Sequence, residues 1–147
     1  MTIVKTCLGT VLAASLAISA SIVGAQAQEA GRIGIELNQS QQNEDACRLS
    51  FLMTNETGTD LEALTMQVVI FGTDERIRQV VSLSAGAMPD KKLRVRQFDL
   101  PQTQCGEIGR ILLNEYSACK GAGADINPAS CLAATEVSSR TEIELVL

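Results

Sequence analysis

The chain has 147 residues, a formal net charge of −5 and no histidine. The missing histidine removes the commonest catalytic base and the commonest metal ligand. The acidic balance argues against nucleic acid, whose binding leans on neutralising phosphates, and otherwise favours solubility without naming a partner.

Residues 1–27 read as a cleaved secretory signal peptide. They carry Lys5 and no acid, then an apolar, Ala- and Ser-rich stretch from Leu8 to Val23, then Ala25-Gln26-Ala27. That last triplet is the small-x-small pattern of a signal peptidase site, so cleavage is expected after Ala27. An uncleaved anchor fits less well, because serine and threonine dilute residues 8–23 and a span wants about 20 mainly apolar residues. Cys7 lacks the preceding apolar run of a lipoprotein and leaves with the signal. No twin arginine is present, which favours general secretion. The remaining residues 28–147 are enough for one domain with its own core. They hold no second long apolar run, so no membrane span is expected after cleavage.

The periodicity that follows is that of strands. From Gly31 to Leu37, the residues Ile33, Ile35 and Leu37 face one way and Arg32, Gly34 and Glu36 the other. Cys47, Leu49, Phe51 and Met53 share the next inward face. Asn55 to Asp60 is a turn by composition. Leu64, Met66, Val68 and Ile70 resume the alternation, and Gly72 to Glu75 turns the chain again. Arg76–Leu83 and Lys91–Leu100 read as the arms of a hairpin around residues 84–90. In the second arm Leu93 and Val95 oppose Lys92, Arg94 and Arg96, whereas Phe98 and Leu100 share the parity of the bases. That phase change predicts a bulge near Arg96-Gln97. Ile108–Leu113 is an apolar run that period alone leaves undecided between strand and helix. Ile143, Leu145 and Leu147 suggest a last strand.

About seven short strands at this spacing, with no convincing 3.6-residue period, predict an all-β fold: an immunoglobulin-like antiparallel β-sandwich. The likeness is architectural only. There is no tryptophan to pack on a central bridge, and Tyr116 stands three residues before Cys119 where a tyrosine corner wants two.

Four cysteines follow the signal: Cys47, Cys105, Cys119 and Cys131. An even count behind an export signal reads as two disulfides, for which three pairings exist. The favoured pairing is Cys47–Cys105, meeting across the core, with Cys119–Cys131 closing a small, turn-rich loop. Closing a loop of that size restricts the unfolded chain by roughly 3 kcal/mol in the entropy model. Zinc is the rival use of the thiols, but no close pair such as C-x-x-C exists.

The chemistry-bearing motifs are few. Arg76 and Arg78 on one arm, with Lys91, Lys92, Arg94 and Arg96 on the other, form a candidate docking patch for an acidic partner or anionic glycan. The plainer reading is a solvated face guarding a sheet edge. The acid pairs Asp60/Glu62, Asp74/Glu75 and Glu142/Glu144 read as surface solvation, and no calcium loop, G-x-S-x-G or redox C-x-x-C occurs. Asn55-Glu56-Thr57 matches a glycosylation sequon.

Ile35-Glu36-Leu37-Asn38, Ala46-Cys47-Arg48, Phe98-Asp99-Leu100, Cys105 to Asn114 leading to Cys119, Cys131-Leu132 and Ser138-Ser139-Arg140 together resemble an uncharacterised family of small exported alphaproteobacterial proteins with four mature cysteines. Members are often given a twin-arginine signal, which this chain lacks. The family has no assigned function, so the resemblance implies a location and a four-cysteine frame and transfers no active site. The sequence therefore points to a periplasmic or secreted, non-catalytic binding or accessory module with a protein partner in the cell envelope. No catalytic residue, cofactor or metal is expected. A structural, envelope-maintenance protein is the alternative, and a histidine-free hydrolase a distant one.

Overall fold

The computed structural model describes residues 31–147. The expected signal peptide, its cleavage point after Ala27 and Cys7 lie outside the described residues.

The chain runs through β1 (Arg32–Asn43), β2 (Ala46–Glu56), β3 (Leu61–Gly72), β4 (Ile77–Met88), β5 (Lys92–Leu100), β6 (Ile108–Gly121), β7 (Ala124–Asp125), α1 (Pro128–Ala133), β8 (Thr135–Ser139) and β9 (Glu144–Val146). The strands form two sheets. The first has the order β5-β2-β1-β8; the second has the order β4-β3-β6, with β7 and β9 pairing separate stretches of β6. The all-β sandwich is therefore present, with nine strands among the described residues where about seven are expected. Two of the nine are only two and three residues long.

Period-2 patterning accounts for the core. Ile33, Ile35 and Leu37 of β1 and Cys47, Leu49, Phe51 and Met53 of β2 are buried, as are Leu64, Met66, Val68 and Ile70 of β3. Each such aliphatic or aromatic side chain contributes about 1.5–3 kcal/mol by leaving water. Phe51 and Phe98 meet edge to face, with ring centroids 6.0 Å apart.

The sheets are not wholly antiparallel. β8 runs parallel to β1 and β9 parallel to β6. Both follow α1, and the chain crosses from the first sheet to the second between them. Ser139 Oγ donates to Ile143 O (2.6 Å) across that crossing.

The expected hairpin of residues 76–100 does not form. β4 pairs with β3 in the second sheet and β5 with β2 in the first. Residues 89–91 are thus a crossover between sheets, with Lys91 N–H donating to Asn55 O (2.6 Å). The expected bulge near Arg96-Gln97 is also absent, since β5 pairs with β2 without a slip from Leu100↔Cys47 to Lys92↔Asn55. The phase never changes. Lys92, Arg94 and Arg96 lie on the same side of β5 as Phe98 and Leu100, and Leu93 and Val95 face outward. Inward-pointing charges on an edge strand are a known device against unwanted pairing, and they misled a reading based on hydrophobicity alone.

Two disulfides close the fold, in the favoured pairing: Cys47–Cys105 and Cys119–Cys131. Cys47–Cys105 does not join the sheets across the core. Cys105 opens the short 3₁₀ turn Cys105–Glu107 after β5, and Cys47 lies opposite Leu100 on β2. The bridge therefore pins the point where the chain leaves the first sheet for the second. Disulfides persist in oxidising compartments, which fits an extracytoplasmic location. Among the described residues no helix is long and apolar enough to cross a membrane.

Candidate functional site

The candidate docking residues are divided between the two sheets. Arg76 precedes β4 and Arg78 lies within it, whereas Lys92, Arg94 and Arg96 belong to β5. Gln79 donates to Thr103 Oγ1 (3.2 Å), which sets the start of β4 beside the end of β5. Arg76 and Arg78 thus lie at the opposite end of the sandwich from Lys92. Arg78 pairs with Asp74 (3.2 Å). Arg96 donates from Nε to Ala85 O and from Nη2 to Ala87 O (3.3 Å). A register shift between Leu64↔Gly86 and Thr65↔Ser84 opens β4 at this point, where Gly86 takes φ 67°. Arg96 thereby stitches the edges of the two sheets. Lys91, Lys92 and Arg94 make no ion pair or hydrogen bond through their side chains among the described residues.

A groove of about 640 Å³ lies on the outer face of the first sheet. Its floor is low because Gly34 has no side chain, opposite Thr54 on β2. A Cβ at Gly34 would lie 2.4 Å from Thr54 Oγ1. Leu52 and Leu93, with Ile35 and Val137, supply the apolar part of the lining. Charged groups border it. Arg32 pairs with Glu56 and lies 3.5 Å from Glu136, and Arg140 donates to Glu36 (2.9 Å). Glu36 also accepts from Asn38 Nδ2 (2.9 Å). That hydrogen bond first, and Arg140 second, hold the Glu36 carboxyl below the usual carboxylate range. Farther along the same face Arg48 grips Asp99 through two hydrogen bonds of 2.7 and 2.8 Å. These bonds lower the Asp99 carboxyl and raise the Arg48 guanidinium. None of these groove residues stands out in the sequence as a site. Gly34 in an otherwise apolar-alternating strand is the one available signal, since a strand glycine often marks a close approach.

The outer face of the second sheet differs. Register places Val80, Val69, Leu112 and Val146 in one row across β4, β3, β6 and β9. Val69 is only 8 % exposed beneath its neighbours, whereas Val80 is 54 % exposed and Ile77, in the next row, 62 %. That next row continues with Phe71, Arg110 and Glu144. Arg110 stacks over the Phe71 ring (5.5 Å) and sits 3.3 Å from both Glu75 and Glu144. Its Nε is buried with no aligned hydrogen-bond acceptor.

The loop closed by Cys119–Cys131 ends inside α1, a helix the sequence pattern does not predict. Its signal is Asn127-Pro128: the Asn127 side chain caps the Ala129 N–H (3.0 Å) and proline takes the first turn. Both cysteines are buried in the core cluster, so the bridge is part of the core as well as a loop clamp. Tyr116 forms no corner; its hydroxyl meets Thr135 Oγ1 (3.0 Å), which donates to Cys131 O (2.7 Å). Burial pushes the Tyr116 hydroxyl up to about 12.

Asn55 is not a glycan acceptor in the folded chain. It is fully buried; its Nδ2 donates to Thr59 O (2.8 Å) and Met88 O (2.7 Å), and its Oδ1 accepts from Thr57 N–H (3.1 Å) and Thr57 Oγ1 (2.8 Å). Every hydrogen-bonding position of the amide is taken.

Among the described residues no group of three or more His, Cys, Asp or Glu side chains could hold a metal ion. No protein-family model, curated protein or solved structure matches the chain.

Proposed function

We propose that the chain is an exported, extracytoplasmic binding or accessory module that holds a protein partner in the cell envelope and carries out no catalysis. The observation that carries this reading is the groove on the outer face of the first sheet. A shallow apolar floor at Gly34, Leu52 and Leu93, bordered by Arg32, Glu36 and Arg140, sits on a scaffold closed by two disulfides. Such a surface combines apolar contact with charges already ordered by their neighbours, which lowers the entropic cost of binding. The Glu36 and Asp99 carboxyls are held below the usual carboxylate range by their hydrogen bonds, the direction opposite to that of a general acid.

The immunoglobulin-like reading of the sandwich belongs to the same proposal. The order β5-β2-β1 facing β4-β3-β6 supports it, since that is the arrangement of strands E-B-A and C′-C-F in such domains. Membership of the exported four-cysteine family is likewise our reading, supported by the pairing of all four mature cysteines.

The test is capture from the envelope fraction under mild crosslinking, followed by titration of the purified partner. Gly34→Leu and Leu52→Glu are expected to weaken that titration at least tenfold while leaving the thermal unfolding midpoint near the parent value. Retention of full affinity by both variants, or no stoichiometric partner at all, overturns the proposal.

A further inference from the structure

We propose that the open edge of β5, over Lys92–Val95, takes up an extended segment of the partner protein as an added strand, and that this segment alternates acidic and apolar side chains. This inference rests on the reading of the chain as a binding module and names what part of it is read.

Three observations meet at this edge. Among the described residues β5 is the last strand of its sheet and pairs with β2 alone, so its other side carries an unfilled ladder of backbone groups. Residues 91–95 are all exposed, and Leu93 among them lines the groove. Arg96 bounds the open stretch, because its side chain reaches across to the carbonyls of Ala85 and Ala87 on β4.

The charges give the sign of the partner. On a chain of net charge −5, Arg32, Arg48, Arg78, Arg110 and Arg140 are each spent on an acid within the molecule. Lys91, Lys92 and Arg94 are the one contiguous group of cations among the described residues without an acid partner. They complement an acidic segment and repel a basic one.

The alternation gives the pattern. Lys92 and Arg94 lie on one side of the pleat, and Leu93 and Val95, each 58 % exposed, on the other. Charge alone would suffice to guard an edge against pairing. A guard gives no reason to expose two large aliphatic side chains on the opposite side. A strand laid along β5 reads both, placing acids beside Lys92 and Arg94 and apolar residues beside Leu93 and Val95, because side chains of neighbouring strands meet on a shared face. Leu93 also lines the groove, so the added strand would raise the groove's wall on that side.

The experiment is fluorescence anisotropy of labelled seven-residue peptides against the four-cysteine protein. An alternating Glu/Val peptide is expected to bind at least tenfold more tightly than a block peptide of the same composition. N-methylation of alternate amides is expected to abolish binding in one phase and preserve it in the other. The double variant Lys92→Glu/Arg94→Glu is expected to lose the Glu/Val peptide and gain an alternating Lys/Val peptide. The peptide series needs no variant, so a folding failure of the charge reversal leaves the inference testable. Equal binding of block and alternating peptides, equal effects of both methylation phases, equal binding of an anionic polysaccharide, or a native dimer already filling the edge overturns it. If the purified partner still binds in a groove-dependent way while the peptides fail, the edge inference falls and the binding module stands.

Discussion

The two outer faces of the sandwich handle water in opposite ways. The first sheet turns outward a lattice of paired polar groups: Arg32 with Glu56, Arg140 with Glu36, Arg48 with Asp99 and Gln97 with Ser50. The second turns outward Val80, Val69, Leu112 and Val146 in one row, relieved by a single stacked arginine. The first face can change sequence at little energetic cost, because exposed pairs contribute little each. The second is half a core. Its central Val69 is buried at 8 % exposure, although among the described residues no second layer covers it.

The largest test of that contrast is a charge on each face. Val69→Asp should cost about 3 kcal/mol, since it buries an unpaired carboxylate among valines. Thr54→Asp, at the groove floor, should stay within about 1 kcal/mol. Denaturant unfolding of the two variants checks both, and equal losses would erase the distinction. Glycine substitution comes next. A Cβ at Gly109 in the second sheet would lie 2.9 Å from the Gly72 carbonyl oxygen, whereas one at Gly34 meets only the Thr54 side chain. Backbone cannot yield as a rotamer can, so Gly109→Ala should cost about 1–3 kcal/mol and Gly34→Ala less.

Tyr116 probes the layer between the faces. Tyr116→Phe removes one of the two partners of the buried Thr135 hydroxyl and should cost about 1–2 kcal/mol. Its titration has a definite sign. The folded value of about 12 lies above the unfolded value near 10. Stability is therefore unaffected below pH 10 and falls as pH rises from about 10 towards 12, as the unfolded chain ionises first. The chain has one tyrosine, so tyrosinate absorbance reports this site alone. The smallest effect belongs to the first face. Arg48→Ala should lose less than about 1 kcal/mol, less still in high salt, as measured by thermal unfolding at two ionic strengths.

The strand pattern and both bridges were legible because burial on one face leaves a period of two and because loop chemistry separates the cysteines. The partners of each strand were not. Arg76–Leu83 and Lys91–Leu100 are adjacent in sequence and look like a hairpin, yet each finds an earlier strand, β3 or β2, in a different sheet. Adjacency is the default that long-range pairing overrode. The inward face of β5 was misread because an edge tolerates arginine on its core side when carbonyls such as those of Ala85 and Ala87 receive it. The groove was illegible for a different reason. It depends on Gly34 standing opposite Thr54, a register that only the folded sheet defines. The apolar row of the second sheet was half visible, since Val68-Val69-Ile70-Phe71 is apolar without a break, but its continuation through Val80, Leu112 and Val146 joins four separate strands.

The four bonds of Asn55 also bear on how the protein can be manufactured. In a eukaryotic secretion host, oligosaccharide is transferred to Asn-x-Thr on chains that have not yet folded. A sugar placed on Asn55 would displace the bonds to Thr59 and Met88 and keep the turn after β2 from closing on the end of β4. Material from such a host should separate into an unmodified, native fraction and a glycosylated, misfolded one. Asn55→Asp would remove the acceptor but lose the bonds to Thr59 and Met88, because a carboxylate lacks the two donors. Thr57→Ser would leave the sequon intact, and Thr57→Val would remove it at the expense of one hydrogen bond to Asn55.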